Sequence, residues 1–354
     1  MSIYNENDGL KYVMEQRWEN KQNNQFPYSN EEYIKKFCQI EDYLNENYHP
    51  DVNLGAAVSG DGLLTDHGIA HVKMVMEKAN AIIGTRVEDL KGYEIFLLLV
   101  AIHFHDLGNI TGRQDHEKKI LEIMTGMKDV LPLDISEQEI VASIATAHGG
   151  FVDKTCDDKD TLKTIEHETF CNGISVRPSL LASILRFADE LSDDFSRSKS
   201  KVDIPDENRI YHEYSKSLEP LGFNGKTIVF TYRIPYCMVK EKLKKGNQEL
   251  YLYDEIMIRL SKCLRELEYC RKYADGFIGI NTLSVTIKIS DPQNSLKECD
   301  KDSFRLSLSG YPDENSFKLE NYIVGNDCSD NQRKLKYSDG EELKNAIEKR
   351  GVSI

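Results

Sequence analysis

Positive charge is scarce in this sequence of 354 residues. Lys and Arg together number 45 against 59 Asp and Glu, which gives a formal net charge of −14. Such an excess of negative charge disfavours general binding to nucleic acid backbones and to anionic membranes. The one notable basic cluster, Lys240–Lys245, is interrupted by Glu241 and is interpreted as a solvated hairpin or loop.

Paired cysteines and long apolar runs are also missing. The eight cysteines include no Cys-x-x-Cys pair, so neither a zinc ribbon nor a disulfide framework is expected. The longest apolar run, Ile95–Phe104, is interrupted by His103 and is too short to cross a bilayer. The first residues do not place a basic segment before an apolar one, as a secretory signal does. We therefore expect a soluble, cytoplasmic protein with no membrane partner.

Several widespread catalytic signatures are absent too. The glycine-rich stretch Gly55–Gly62 lacks the Gly-Lys-Ser/Thr ending of a phosphate-binding P-loop, which argues against ATP hydrolysis by that route. The Gly-x-Ser-x-Gly motif of serine hydrolases and the paired carboxylates of glycosidases find no support either. Candidate chemistry is therefore sought among the histidines and aspartates.

The apolar pattern predicts a mainly α protein with a smaller C-terminal α+β part. The segment Tyr93–Asp106 is apolar nearly all round, which is typical of a helix buried by its neighbours. The patterns Ser29–Glu32 and Ser136–Glu139 fit capping boxes at the start of helices. After about residue 200, Thr227–Ile234 and Leu283–Ile289 are rich in β-branched residues and are predicted strands.

These changes of pattern divide the chain into four predicted regions. They are an N-terminal helical extension (1–59), a helical core (60–200), an α+β region (201–325) and a polar tail (326–354). The α+β region includes a long helical pattern from Tyr251 to Ala274 and a further candidate strand, Ser303–Leu308. The tail is too polar and too weakly patterned to predict any element.

Histidines and aspartates occur at the ends and on the apolar faces of the predicted helices. His105 and Asp106 end the buried helix, where an imidazole and a carboxylate cost on the order of several kcal/mol unless both are satisfied, and one metal ion satisfies both. His67 and His71 are four residues apart and so share a helix face. Plainer explanations exist for residues taken singly: His105 can bond Asp106 at a capped helix end, His148 can cap a helix, and Asp189 can pair with Arg186.

The order His71, His105-Asp106, Asp189, with each on an apolar helix, resembles the HD-domain superfamily of metal-dependent phosphohydrolases. The His-x-x-x-Val form at His71 and the Arg-Phe-Ala-Asp-Glu-Leu context of Asp189 support the resemblance, which covers about residues 60–195. The segments Thr65–His71 and His105–Asn109 look most like a branch found in bacterial conflict and signalling proteins. The resemblance implies an HD-type helical core in which His71, His105, Asp106 and Asp189 hold one divalent metal ion, with a second ion possible. Two imidazoles and two carboxylates are compatible with Mn, Mg, Fe, Co, Ni or Zn.

The same resemblance suggests roles for four further residues. His67 precedes His71 by four residues, the spacing of the proton donor in the cyclic-nucleotide phosphodiesterases that share this core; a partly buried histidine with no chemical role is the alternative. His116 is a candidate for contact with substrate or with a second metal, and His148 is the other candidate for a ligand of a second metal. Arg113 could clamp a phosphate bidentately, although an exposed arginine is the commoner outcome.

The expected function is hydrolysis of a phosphoester or phosphoanhydride in a small nucleotide-like substrate by a metal-activated water. The alternative is a metal-bearing or degenerate nucleotide sensor that acts through a partner protein. The complete set of four ligands favours the enzyme. A homo-oligomer or a partner protein is possible in either case.

Overall fold

The computed structural model of the chain describes residues 9–20, 25–52, 68–112, 115–192, 205–294, 297–308, 318–324 and 335–349. These residues form two compact units. The first is built from described residues within Met1–Asp61, Asp66–Ser192 and Tyr269–Ile278, and the second from those within Asp193–Glu268 and Gly279–Ile354. The helices before residue 60 thus group with the predicted core. The boundaries predicted at residues 60, 201 and 326 stay predictions.

The first unit is helical apart from one short hairpin in its described part. Its α-helices are α1 Leu10–Glu19, α2 Tyr33–Asn47, α3 Ile69–Ile83, α4 Gly92–Phe104, α5 Ile120–Gly126, α6 Ile135–Thr146 and α7 Pro178–Glu190. Short 3₁₀ helices lie between them at Gly84–Asp89, Leu107–Thr111, His116–Lys119 and Thr161–Thr164. The hairpin consists of the antiparallel strands β1 Thr169–Cys171 and β2 Ile174–Val176.

Helix α4 is the centre of this unit. Every one of its residues is buried, because α1, α2, α3, α6 and α7 all contact it. The stretch Gly92–Thr111 is long and apolar enough to cross a membrane by length and composition, but 89% of its apolar window is buried inside the protein. Packing against the neighbouring helices therefore accounts for its composition, and the predicted buried helix is confirmed.

The two predicted capping boxes are wrong. Helix α6 is capped two residues earlier than expected: Asp134 accepts a hydrogen bond from the Glu137 backbone N–H (3.0 Å), and Glu137 accepts one from that of Asp134 (3.1 Å). Glu137 is also held by the ammonium of Lys36 at 2.7 Å, a contact between distant parts of the chain that local spacing does not reveal. At the start of α2, Glu32 occupies the N-cap position without a side-chain capping bond.

The second unit combines helices with a sheet. Its helices are α8 Asp206–Ser217, α9 Tyr236–Val239, α10 Leu252–Tyr273, whose last residues are counted in the first unit, and α11 Gly340–Lys349. Its strands are β3 Gly222–Asn224, β4 Thr227–Ile234, β5 Lys242–Lys245, β6 Gln248–Tyr251, β7 Thr282–Ser290, β8 Glu298–Ser307 and β9 Ile323–Val324. Five of them pair in the order β3-β4-β7-β8-β9, with β4 and β7 parallel and the other neighbours antiparallel. Alternate residues of β4 and β7 are buried, as in a sheet that covers a core with one face.

The fold class, mainly α with a smaller α+β part, is as predicted. The predicted strand Ser303–Leu308 is the second half of the longer strand β8. The basic cluster Lys240–Lys245 leads into the hairpin formed by β5 and β6. The tail contains helix α11, which the sequence did not predict. Its buried residues include only two large apolar side chains, Leu343 and Ile347, too few to give a clear periodic pattern.

Candidate metal centre

Three helices of the first unit bring the predicted ligands together. His71 lies in the first turn of α3, His105 and Asp106 follow the last residue of α4, and Asp189 lies in the last turn of α7. Helices α3, α4 and α7 contact one another through their apolar faces. His71 and His105 are fully buried, while the Asp189 side chain keeps 29% of its surface exposed. The cluster is therefore enclosed by helices and open to solvent beside Asp189.

One ligand atom from each of His71, His105 and Asp106 lies within 4.8 Å of the other two, and Asp189 lies against the two histidines. His71 Nε2 lies 3.3 Å from His105 Nε2, 3.4 Å from Asp106 Oδ2 and 3.1 Å from Asp189 Oδ1. His105 Nε2 lies 3.5 Å from Asp106 Oδ2 and 3.7 Å from Asp189 Oδ1. Ligand atoms placed about 2.0–2.2 Å from one shared ion are themselves about 3–3.5 Å apart. The spacing therefore suits a single divalent cation.

The chemistry of His105 also fits such an ion. Its Nδ1 lies 2.7 Å from the carbonyl of Ile102, a bond that requires the proton on Nδ1 and leaves the Nε2 lone pair for a ligand. Burial alone would lower the pKa of His105, but the carboxylates of Asp106 and Asp189 outweigh burial and raise it to about 9. Burial likewise opposes ionisation of Asp189, yet His105 and His71 hold the pKa of Asp189 well below its usual range. The cluster thus attracts positive charge, which a divalent cation can supply.

A second cluster shares the carboxylate of Asp106. His116 Nε2 lies 3.3 Å from Asp106 Oδ1 and 3.3 Å from His148 Nε2, and His148 Nε2 lies 3.8 Å from Asp106 Oδ1. His148 Nδ1 is 2.6 Å from the carbonyl of Ala145, a bond that requires the proton on Nδ1. As in His105, the lone pair is therefore on Nε2. Burial and the neighbouring His105 and His116 lower the pKa of His148 to about 4, which keeps it in the neutral form that binds metals. The two oxygens of Asp106 face different histidine pairs, an arrangement that could hold two ions.

The segment after Asp106 builds this second cluster. Gly108 lies so close to the backbone of His116 that a Cβ there would stand 2.6 Å from the His116 carbonyl carbon and 2.9 Å from its Cα. The Asn109 side chain, 1% exposed, donates to Asp106 Oδ1 at 2.9 Å and so fixes the orientation of the carboxylate. Both residues belong to the segment His105–Asn109, but their roles were not predicted from the sequence. Neither forms a recognisable motif of metal-binding residues.

The comparison with known families agrees with this geometry. The HD-CE family matches residues 61–242, about half of the chain. The chain belongs to the HD-CE family. The match includes every residue of both clusters and confirms the HD-type resemblance, and it extends beyond the predicted end of the core at residue 200. No curated protein matches the chain significantly.

The remaining site predictions for this HD-CE protein have mixed outcomes. His67 and Arg113 lie outside the described residues, so their roles stay predictions. His116 and His148 form the second cluster, beside Asp106. The alternative explanation for Asp189, an ion pair with Arg186, does not describe its surroundings. The Asp189 carboxylate instead lies against His71 and His105. His103, which interrupts the apolar run, is buried in the core with Nδ1 3.3 Å from His49 Nε2.

Proposed function

We propose that this HD-CE protein is a metal-dependent phosphohydrolase that acts on a small nucleotide-like substrate. The observation that carries the proposal is the shared carboxylate of Asp106, whose two oxygens face His71 with His105 on one side and His116 with His148 on the other. A bridged pair of clusters of this kind suits two ions placed to hold the oxygens of a phosphate. Local positive charge from the ions would offset the acidic surface of the protein.

In this proposal the described residues hold and orient the reacting groups. His71, His105, Asp106 and Asp189 would hold one ion, and Asp106, His116 and His148 would hold the second. When bound, the ions polarise a phosphoryl oxygen and lower the pKa of a bound water, so that hydroxide is available near neutral pH. The partly exposed side of the cluster beside Asp189 offers the approach for substrate and solvent.

His67 and Arg113 complete the proposal as proton donor and phosphate clamp. If His67 donates a proton to the leaving oxygen, His67→Ala should keep its metal and slow turnover by roughly 10²- to 10⁴-fold. A p-nitrophenyl ester, whose leaving group needs little protonation, should be affected much less. Loss of metal in His67→Ala would make this residue a ligand, and the donor would then be sought at His116 or His148.

The proposal is tested first by metal content and then by turnover. Mass spectrometry of the purified protein should find a divalent transition metal or Mg²⁺. A screen with deoxynucleotides, cyclic nucleotides and guanosine alarmones should then reveal product release. Asp106→Asn should abolish both readouts, while Asp129→Asn, which removes an exposed carboxylate of the same unit, should leave them unchanged.

Two other results would redirect the interpretation. Bound metal with nucleotide binding but no turnover of any substrate would favour the sensor that acts through a partner. A wild-type protein that takes up no divalent cation would refute the proposed function.

A further inference from the structure

The backbone carbonyl of Ala147, the residue before His148, accepts a hydrogen bond from a residue outside helix α6. Helix α6 ends at Thr146, and the carbonyl of Ala147 is one of the groups that a helix end leaves without an intrahelical partner. The Thr161 hydroxyl, from the 3₁₀ helix Thr161–Thr164, donates to this carbonyl at 2.8 Å. Ala147 and Thr161 are both buried. The position of the turn that carries His148 therefore depends on Thr161.

Arg186 connects this cap to the helix that carries Asp189. It lies three residues before Asp189 on α7, and its Nη1 donates to the Thr161 hydroxyl at 2.8 Å and lies 3.5 Å from the Ala147 carbonyl oxygen. Its guanidinium is stacked over the ring of Tyr269, with 4.6 Å between the guanidinium carbon and the ring centroid. With 9% of its surface exposed, the side chain has little freedom to leave this position.

We propose that Thr161 and Arg186 are positioning residues for the second metal ion. They fix the turn that carries His148 relative to the helix that carries Asp189, and so hold His148 Nε2 near His116 and Asp106. Since metal–ligand distances tolerate deviations of only about 0.2 Å, a small displacement of this turn is enough to weaken the second ion. The first ion depends on α3, α4 and α7 and is left in place. This inference rests on the metal centre proposed above.

The test is a titration of the metal-free full-length protein with Mn²⁺ by calorimetry. Thr161→Val removes the hydroxyl and keeps the shape of the side chain. It should weaken one of the two Mn²⁺ sites by roughly 10- to 100-fold, the usual effect of losing an outer-shell partner. The other site should stay within about twofold of wild type. Arg186→Lys should also weaken Mn²⁺ binding at this one site. Thr161→Ser, which keeps the hydroxyl, should bind Mn²⁺ at both sites with wild-type affinity.

Thr164→Val is the matched control. It removes a hydroxyl from the same 3₁₀ helix, one that donates to the Thr161 carbonyl at 2.7 Å rather than to Ala147, and should leave both sites unchanged. Two sites of wild-type affinity in Thr161→Val would overturn the inference. An equal loss at both sites, accompanied by a lower melting temperature, would overturn it too, because it would show a purely structural role. A wild-type protein that binds no Mn²⁺ would refute the metal centre itself, and this inference with it.

Discussion

Replacing Gly108 by alanine should remove the second ion and spare the first. The backbone of Gly108 does not adopt a positive φ angle, so alanine is permitted there by conformation and excluded only by the approach of His116. An added Cβ would lie 2.6 Å from the His116 carbonyl carbon, against 3.4–4 Å for an ordinary contact. The His116 carbonyl oxygen would be closer still, and relief of this clash must move the backbone by about 1.5 Å, since no flexible side-chain end can yield. That shift exceeds the tolerance of about 0.2 Å for a metal ligand.

The assay is the number of Mn²⁺ ions bound by the full-length protein, measured by mass spectrometry and calorimetry. Wild type should bind two ions, and Gly108→Ala should bind one with unchanged affinity. Gly126→Ala is the control, because a Cβ at Gly126 meets no atom within 4 Å among the described residues. Retention of two ions of wild-type affinity by Gly108→Ala would refute the reasoning that His116 is a ligand held by this close approach.

Further predictions concern the shared carboxylate, the ligand on α7 and a buried histidine pair. Asp106→Ala should lose both ions and keep its far-ultraviolet circular dichroism, because both clusters use this carboxylate; wild-type metal content would contradict the assignment. Asp189→Asn should lose metal, whereas Asp193→Asn, at a position outside the described residues, should not; equal loss from both would mean that the ligand has been misassigned. Burial lowers the pKa of His49 from 6.5 to about 4, so the unfolded chain binds the proton more tightly, and stability is lost as the pH falls through this window. Between pH 6.5 and pH 4.5 the free energy of unfolding of the metal-free protein, measured by urea titration, should fall by about 2 kcal/mol more than that of His49→Gln. An equal fall in both proteins would exclude His49 as the cause of the pH dependence.

Local sequence determined the secondary structure around the site. Helix α4 is apolar on all sides, and only burial by several neighbours makes such a helix stable in water, so both its position and its burial could be predicted. Strand β4 has the predicted bounds for a similar reason, since alternation of buried and partly exposed residues is a local property. The candidate ligands His71, His105, Asp106 and Asp189 came from the resemblance to the HD-domain superfamily, because the cost of a buried unpaired charge alone left plainer explanations open for the residues taken singly.

The tertiary structure decided how these residues combine. That the two oxygens of Asp106 face different histidine pairs depends on His116 and His148, which are brought together across 32 residues of chain. The Thr161 cap on the Ala147 carbonyl and the parallel pairing of β4 with β7 likewise join separate segments of the chain. Periodicity reports which side of an element is apolar and carries no information about which distant segment will cover it. The sequence therefore determined strongly patterned elements such as α4 and β4 and, through the resemblance, the candidate ligands, and only the packing of the helices decided that one carboxylate lies between two clusters.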